Sequence, residues 1–521
     1  MNTPALPAVV DNGQKPPKET RYIDRKVINP LVAQNPFIGR APLTVTAPEL
    51  SLSAVRDRLP QPFWDGHDAA LACYWKVWEL ACKNCKVASP SAGFVAPFID
   101  TAFNGDLFMW DSVFIMMFAR YGERVFPFQK TLDNFYAKQH VDGFICRQIS
   151  PADGGDRFHY ADHDSTGPGL LAWPEWEYYL QFGDRQRLAE VFPPLLAYYQ
   201  WMRKYRTWPD GTYWATGWAC GMDNQPRLSA GARPENDHDH LSWIDTNAQA
   251  VLVATLLVNI ARELGRDADV RALREEIAAL TVTINNTMWH ERLGWYVDRR
   301  RDGTVSDVKS IAGLWPLLAG LVPPERQARL LAHLTDPATF GRPHPVPSLS
   351  ADHPLYHPLG QYWRGGVWPP TTYMALRALT LTGHDELAHQ LAARHVAMVT
   401  EVFNQTGTVW ENYAPDSAAP GNIACADMVG WSGLGPIAVL LEYLIGLRPD
   451  FTTRTLLWDV RLTEAHGVRN YPFGADITLS LSASARAGER EEPRVTINAS
   501  RPVKVLVKWP GGTRVVMAGE L

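Results

Sequence analysis

The sequence predicts a mainly α-helical protein, a double-layered helical toroid followed by a small C-terminal β-sheet domain. Helical patterns dominate from about residue 51 to about residue 450. Within this stretch a nearly apolar helix is followed by an amphipathic one, the order expected when inner helices alternate with outer ones. After Leu447 the sequence changes to alternating, β-branched runs separated by Gly and Pro, which are typical of strands.

These patterns divide the chain into three segments. Residues 1–50 are Pro-rich and polar, which predicts an arm laid over a neighbouring part of the protein. Residues 51–450 form the predicted helical domain, and residues 451–521 form the predicted β domain. The β domain contains no constellation of carboxylates, so we expect it to support the helical domain.

Two neighbouring segments illustrate the inner and outer helices. Asp245–Leu264 is nearly apolar around its circumference and is followed by Gly265, which suits the left-handed conformation that ends helices. We therefore expect this helix to be buried on most sides. Asp269–Met288 carries Arg and Glu on one face. Its other face is apolar, with Val270, Leu273, Ile277, Leu280 and Ile284.

Further elements follow from the same periodicities. Helices are expected at about residues 66–83, 110–121, 128–139, 171–182, 185–206, 310–320, 324–334, 367–382, 385–403 and 430–446. Strands are expected at Ile477–Leu481, Val495–Ile497, Val503–Val507 and Arg514–Val516.

Composition excludes several classes of function. The 521 residues carry 50 Lys and Arg against 55 Asp and Glu, so the chain lacks the basic field that holds nucleic acid or an anionic membrane. We expect that no apolar run is long enough to span a bilayer. The 20 Trp, 18 Tyr and 19 Phe residues suit core packing, and their clustering beside Gly, Asp or Arg also suits the flat C–H faces of sugars.

The cysteines and the first residues indicate a reducing compartment. Met1–Pro7 lacks the basic and then apolar pattern of a secretory signal, so a cytoplasmic location is expected. Cys82 and Cys85 form a single CxxC without a second pair or a His at zinc spacing. Asp237–His240 and the acidic residues of 153–164 lack established ligand spacing, and no phosphate loop or dinucleotide fingerprint occurs. No metal and no cofactor are predicted.

Two acidic residues in aromatic, turn-like contexts carry the predicted chemistry. Asp223 stands in Gly-Met-Asp-Asn-Gln-Pro-Arg, and Glu411 stands in Val-Trp-Glu-Asn-Tyr. A carboxyl group that donates a proton near neutral pH needs a raised pKa, whereas one that activates water must stay ionised. Carboxyl pairs of this kind cleave glycosidic bonds. The alternatives are an Asx-turn before Pro226 for Asp223 and a surface carboxylate for Glu411.

Six motifs occur in the order found in a known group of enzymes. They are Leu107–Phe114, Gly221–Arg227, Phe340–Ser348, Tyr362–Trp368, Trp410–Tyr413 and Gly430–Ser432. Over about residues 100–450 the chain thereby resembles glycoside hydrolase family 63 and its trehalase relatives in family 37. The resemblance implies an (α/α)6 barrel, built from six helical hairpins, and an inverting α-glycosidase mechanism.

The resemblance also implies roles for single residues. By motif position Asp223 is the general acid and Glu411 the general base, and such carboxyls lie about 6.5–9.5 Å apart in an inverting enzyme. Asp111 resembles the carboxylate that grips the nonreducing sugar, with a helix N-terminal charge as the alternative. Arg364 resembles the arginine at the floor of the sugar site.

Further binding residues are candidates on chemical grounds. Arg227 is expected either to pair with Asp223 or to cap a loop. Gln148, Asp245 and Asn247 are weaker polar candidates. The candidate aromatic platforms, for each of which core packing is the alternative, are Trp110, Trp218, Trp363, Trp368, Trp410 and Trp431.

The leading hypothesis is an exo-acting, inverting α-glycosidase that releases glucose, or less favourably mannose, from a small glycoside or oligosaccharide. One alternative is a toroid phosphorylase, in which inorganic phosphate replaces water and no base carboxylate is needed, so the presence of Glu411 argues against it. Another alternative is a noncatalytic sugar-binding protein. The expected partner is a small carbohydrate rather than nucleic acid or membrane, and a homo-oligomer is compatible with the sequence. The sequence departs from the usual family motifs in two places. Gly365-Gly366 stands where Gly-Pro is common, and Asn-Gln-Pro-Arg follows Asp223 where other residues often follow the Asp. The sequence therefore does not predict which leaving group the enzyme accepts.

Overall fold

The computed structural model describes residues 27–44, 50–234 and 236–519. Its helical part contains six consecutive pairs of helices. The pairs are α1 (Asp68–Lys83) and α2 (Met109–Ala119), α3 (Asp133–Ala137) and α4 (Ala172–Phe182), α5 (Arg185–Tyr205) and α6 (Ile244–Leu264), α7 (Arg271–Thr287) and α8 (Trp315–Leu318), α9 (Pro324–Thr335) and α10 (Pro369–Leu381), and α11 (Asp385–Thr406) and α12 (Leu434–Leu444). Four-residue helices at Leu52–Val55 and Val429–Ser432 precede α1 and α12.

The even-numbered helices are largely enclosed by the rest of the protein. Every residue of α2 and of α12 is buried. Contacts run from α2 to α4, then through α6, α8, α10 and α12, and from α12 back to α2, so they form a closed cycle. Contrary to the sequence expectation, α6 is long and apolar enough to cross a membrane by length and composition. However, 89% of its apolar window is buried inside the protein, as in the core helix of a globular domain.

The odd-numbered helix α7 shows the amphipathic pattern that the sequence predicts. Leu273, Leu280 and Ile284 are buried on one face together with Glu276, while the other charged residues of the helix are exposed. The other predicted helices also correspond to observed ones. The main differences lie at residues 128–139 and 310–320. Phe128–Leu132 and Ile311–Leu314 are 3-10 helices there, and only Asp133–Ala137 and Trp315–Leu318 are α-helical. In addition, α12 is wound as a π-helix.

The C-terminal residues, joined by one strand that precedes the helices, form two four-stranded sheets. The strands are β1 (Gln61–Trp64), β2 (Leu447–Asp450), β3 (Thr455–Asp459), β4 (His466–Phe473), β5 (Ile477–Ala483), β6 (Val495–Ala499), β7 (Val503–Trp509) and β8 (Gly512–Ala518). One sheet is antiparallel with the order β1-β4-β5-β6, and the other has the order β8-β7-β3-β2 with β3 and β7 parallel. A mainly helical fold with a C-terminal sheet region is therefore confirmed.

The four predicted strands lie within β5 to β8, whereas β1 to β4 were not predicted. In β1 the residue Pro62 lowers the strand signal, and a proline is tolerated there because β1 is an edge strand that pairs only with β4. In β4 the register shifts between Val468 and Tyr471, which interrupts the alternation that marks a strand.

The predicted N-terminal arm is described only in part, since residues 1–26 and 45–49 lie outside the described residues. Residues 27–44 run along loops of the helical domain. The amide of Asn29 donates to the carbonyl of Val141 at 2.9 Å, and the amide of Leu43 donates to the carbonyl of Phe94 at 2.8 Å.

Candidate active site

A cavity of about 150 Å³ lies where the even-numbered helices begin. Its lining residues belong to segments that precede or start α2, α4, α6, α10 and α12. They are Phe103, Phe108, Trp110, Asp111, Arg147, Gly167, Trp218, Gly221, Asp223, Tyr362, Trp363, Glu411, Met428 and Trp431. The structure thus brings Asp223 and Glu411, which are far apart in the sequence, to one cavity.

Asp223 lies on a turn that the protein holds tightly. Gly221 has a φ of 79° in the left-handed region, and a Cβ there would meet Trp110 at 3.0 Å, so glycine is required. The next residue, Asn224, accepts a hydrogen bond from the amide of Trp363 at 2.8 Å and donates to the carbonyl of Gln361 at 3.1 Å. These bonds tie the turn that carries Asp223 to the loop that carries Tyr362 and Trp363.

The environment of Asp223 suits a proton donor. Burial raises the pKa of the Asp223 carboxyl to about 6, while the nearby Arg147 guanidinium opposes that rise. The negative charge of Glu411 adds to it. Near pH 6 a carboxyl with this pKa is protonated in a large fraction of molecules.

Glu411 is held by donors on both sides. Its Oε2 accepts from the amide of Cys425 at 3.0 Å, and its Oε1 accepts from the hydroxyl of Tyr362 at 3.2 Å. Its carbonyl accepts from the indole Nε1 of Trp431 at 2.7 Å. Burial raises the pKa of Glu411, and the bonds from Cys425 and Tyr362 oppose the rise because they favour the ionised form.

A third carboxyl and one guanidinium complete the charged groups of the cavity. Asp111 lies in the first turn of α2, and burial, together with the charges of Glu411 and Asp223, raises its pKa to about 8. Arg147 donates from Nε to the carbonyl of Asp164 at 2.6 Å. Its guanidinium lies 4.1 Å from the ring centroid of Phe158 and 5.7 Å from that of Trp218.

Aromatic rings form the inner wall of the cavity. Trp363 stacks on Trp368 with centroids 3.8 Å apart and planes inclined by 1°, and Trp368 meets Trp431 edge-on at 5.7 Å. Trp368 itself is fully buried behind the wall and does not line the cavity. The indole Nε1 of Trp110 is buried and lacks a hydrogen-bond partner among the described residues.

Three predicted polar residues are placed away from the cavity because they bond one another or the backbone. Arg227 forms buried ion pairs with Asp245 at 2.7 Å and with Asp298 at 2.6 Å. Asn247 accepts from the amide of Tyr213 at 2.8 Å and donates to the carbonyl of the same residue at 2.9 Å. The structure corrects the expectation for Arg227, Asp245 and Asn247, which hold the start of α6.

Three other candidates also lie outside the lining. Gln148 donates to Asp106 at 2.7 Å, and Arg364 donates to the carbonyl of Asn224 at 3.1 Å. Trp410 donates from its indole nitrogen to Thr406 at 3.1 Å. Arg364 therefore supports the turn that carries Asp223 and lies outside the lining of the cavity.

Arg147 and Tyr362 line the cavity, yet the sequence reasoning did not select them. Both lie beside chosen residues, Arg147 next to Gln148 and Tyr362 next to Trp363. Two signals point to them in the sequence. Arg147 places a guanidinium in an otherwise apolar segment, and Tyr362 places a hydroxyl within the Tyr-Trp-Arg-Gly motif. Phe103, Phe108 and Met428 gave no signal that distinguished them from core residues.

Comparison with known proteins places the chain in a family. Residues 106–432 match the family described as mannosylglycerate hydrolase MGH1-like glycoside hydrolase domain. The chain belongs to this family. It is therefore a glycoside hydrolase, related to the enzymes of glycoside hydrolase family 63 and to trehalases. The matched region contains every cavity-lining residue except Phe103.

Two named relatives show how far the similarity extends. Mannosylglycerate hydrolase from Thermus thermophilus is 23% identical over 361 residues, which cover 56% of this chain and 85% of the relative. A probable mannosyl-oligosaccharide glucosidase from Schizosaccharomyces pombe is 26% identical over 282 residues, which cover 48% of this chain but only 34% of that protein.

Solved structures share the fold at low sequence identity. A family 63 mannosylglycerate hydrolase from Thermus thermophilus, in complex with Tris, has a TM-score of 0.55 and 21% identity, covering 70% of this chain and 99% of that one. The neutral trehalase from Saccharomyces cerevisiae has a TM-score of 0.54 and 16% identity, covering 67% of this chain and 74% of that one.

Proposed function

We propose that this glycoside hydrolase removes a terminal α-linked sugar from a small glycoside or oligosaccharide, with inversion at the anomeric carbon. Asp223 is the general acid and Glu411 the general base. The observation that carries the proposal is that both carboxyls line one small cavity walled by aromatic rings. In an inverting reaction the acid and the base act from opposite faces of the bound sugar.

The acid role of Asp223 rests on its raised pKa. With a pKa of about 6, the carboxyl keeps its proton in weakly acidic solution and gives it to the departing glycosidic oxygen as the C–O bond breaks. Burial outweighs the two influences that favour the ionised form of Asp223, which are the Arg147 guanidinium and a hydrogen bond from the Asp223 backbone amide.

The base role of Glu411 rests on its donors. The Cys425 amide and the Tyr362 hydroxyl both favour the carboxylate form, which takes a proton from the attacking water. The water oxygen then bonds to the anomeric carbon while the leaving group departs with the proton from Asp223.

The remaining inner groups suit the recognition of a sugar. Asp111 has a pKa of about 8, so in the empty cavity it is mostly protonated at neutral pH and both donates and accepts hydrogen bonds. The buried rings of Trp110, Trp363 and Trp431 offer apolar faces to the C–H groups of a pyranose.

We also propose that the six helix pairs constitute an (α/α)6 barrel and that the cavity receives the end of the substrate. The closed cycle of contacts among the even-numbered helices supports the barrel. Trp363 in the inner wall, stacked on Trp368 behind it, supports an exo mode of action, because an oligosaccharide cannot continue past the two rings.

The test is a screen of purified enzyme against trehalose, kojibiose, nigerose, maltose, sucrose, glucosylglycerate and mannosylglycerate, with NMR detection of the anomer formed first. The expected product of an α-linked substrate is the β anomer. Asp223→Asn and Glu411→Gln are each expected to lower kcat by about 10²–10⁴-fold, the usual contribution of a general acid or base.

The matched control is Asp476→Asn, since Asp476 is an exposed carboxylate that pairs with Arg501 far from the cavity. Full turnover by both active-site variants, or release of the α anomer, contradicts the proposal. A strict requirement for inorganic phosphate would replace hydrolysis with phosphorolysis.

A further inference from the structure

Two aromatic side chains of the cavity differ from the others in their exposure. Phe103 is 55% exposed and Trp218 is 38% exposed, whereas Phe108 and Tyr362 are half-buried and Trp110, Trp363 and Trp431 are buried. All seven rings line the same cavity. The exposed pair therefore marks its outer end, and the buried rings mark its inner end.

The loop that carries Phe103 is held in a strained conformation. Ala102 has a φ of 66°, in the left-handed region that residues other than glycine rarely adopt. The amide of Ala102 donates to Asp100 at 3.0 Å, and the carbonyl of Thr101 accepts from the amide of Gly430 at 3.1 Å. The ring of Phe103 lies 6.1 Å from that of Phe108, edge-on. These contacts hold an exposed aromatic ring at the mouth of the cavity.

Trp218 is fixed relative to the proposed general acid. It lies on the same turn as Asp223, and a Cβ at the preceding Gly217 would meet the carbonyl of Asp223 at 2.8 Å. The amide of Trp218 donates to the carbonyl of Pro234 at 3.2 Å, and the guanidinium of Arg147 packs near its ring. Because the general acid protonates the departing oxygen, the leaving group lies on the Asp223 side of the cavity.

We infer that Phe103 and Trp218 form a leaving-group subsite, which accepts a leaving group with an apolar face, such as a second sugar ring, in preference to a small acyclic one such as glycerate. The inference rests on the proposed roles of Asp223 and Glu411. An exposed aromatic ring gains from covering the C–H face of a pyranose, because both surfaces lose contact with water. Glycerate has no ring face to offer.

The test compares two substrates of one released sugar. The first is the best disaccharide substrate, and the second is the corresponding α-glycosyl fluoride, whose leaving group is a single atom that stacks on nothing. Phe103→Ala and Trp218→Ala are each expected to lower the ratio of kcat/KM for the disaccharide to kcat/KM for the fluoride by about tenfold. Phe103→Tyr keeps a ring at this position and should keep the ratio.

The control is Met517→Ala, which removes an exposed apolar side chain from β8, far from the cavity, and should leave the ratio at the wild-type value. Equal losses on both substrates, or no loss on either, would overturn the leaving-group subsite. A wild-type enzyme that prefers glucosylglycerate or mannosylglycerate to every disaccharide would overturn it too. If Asp223→Asn retained full activity on the disaccharide, the proposed function itself would fail, whatever the ratio.

Discussion

At the scale of single residues, the surroundings of each carboxyl separate the proposed roles in the cavity. Asp223 owes its raised pKa to burial, and the cation Arg147 limits the rise. Glu411 is also buried, but two donors favour its ionised form. The two groups therefore respond to different neighbours, and substitutions of those neighbours should move different limbs of the pH profile.

The first prediction concerns Arg147→Met, which removes the charge and keeps most of the volume. Arg147 lowers the pKa of Asp223, so its loss should raise that pKa above about 6 and keep the acid protonated to higher pH. The basic limb of kcat/KM against pH should move to higher pH by about one unit. Steady-state kinetics between pH 4 and 9 measures the shift.

Tyr362→Phe provides the contrast. The Tyr362 hydroxyl donates to Glu411, so its loss raises the pKa of the proposed base and should move the acid limb to higher pH. Tyr356→Phe is the matched control, because the Tyr356 hydroxyl bonds Asp416 instead. If Arg147→Met and Tyr362→Phe moved the same limb, the assignment of acid and base would be wrong.

Residue scale is also where prediction from sequence reached its limit. The sequence predicts a binding role for Gln148, whereas its neighbour Arg147 lines the cavity. Successive side chains of an extended segment point to opposite sides, and a sequence pattern alone does not say which side faces the cavity. Gly366 stands where proline is common in the family, and its hydrogen bonds explain why glycine suits this position. Its amide donates to the carbonyls of Gly360 and Tyr362 at 3.0 and 3.1 Å, and a proline has no amide hydrogen to donate.

At the scale of elements, the helices were predictable because their periodicity directly reflects burial. The apolar circumference of α6 and the single apolar face of α7 correspond to their enclosed and peripheral positions. The role of polar residues in an enclosed helix was less predictable. Asp245 lies in the first turn of α6, in a motif suited to binding, yet it pairs with Arg227, a partner that only the tertiary structure supplies.

The second prediction concerns this ion-pair network. Arg227 is buried and bonds both Asp245 and Asp298, so Arg227→Met leaves two buried carboxylates without their cation. We expect a loss of about 3–5 kcal/mol in the free energy of unfolding. Urea denaturation followed by circular dichroism measures it.

The control for this prediction is Arg274→Met, since the pair of Arg274 with Asp267 is about half exposed on both sides. Exposed pairs contribute about 0–1 kcal/mol, so this variant should unfold nearly like the wild type. Similar losses in both variants would mean that burial does not determine the contribution of the network.

At the scale of the whole molecule, the C-terminal sheets are joined to the helical part by a strand that precedes the helices and by hydrogen bonds to the end of α4. The strand β1 precedes all twelve labelled helices and pairs with β4, which follows them. The carbonyls of Leu180 and Gln181, at the end of α4, accept from the amides of Phe451 and Gly474 at 2.9 and 2.8 Å. This connection was not predictable from the sequence, because the short β1 gives little strand signal.

The third prediction follows from this connection. The helical part and the two sheets should unfold together in one transition. Tyr471 of β4 is fully buried, its ring lies 5.8 Å from that of Tyr121, and its hydroxyl bonds Gln181 at 3.4 Å. Tyr471→Ala should therefore lower the stability of the helical part as well as the sheet, by about 3–5 kcal/mol. Calorimetry should give equal calorimetric and van't Hoff enthalpies before and after the change.

The control is Met517→Ala, in the same sheet region but 65% exposed, which should change stability by no more than about 0.5 kcal/mol. Two separate transitions, with only one of them moved by Tyr471→Ala, would show instead that the sheets fold independently of the helices that position Asp223 and Glu411.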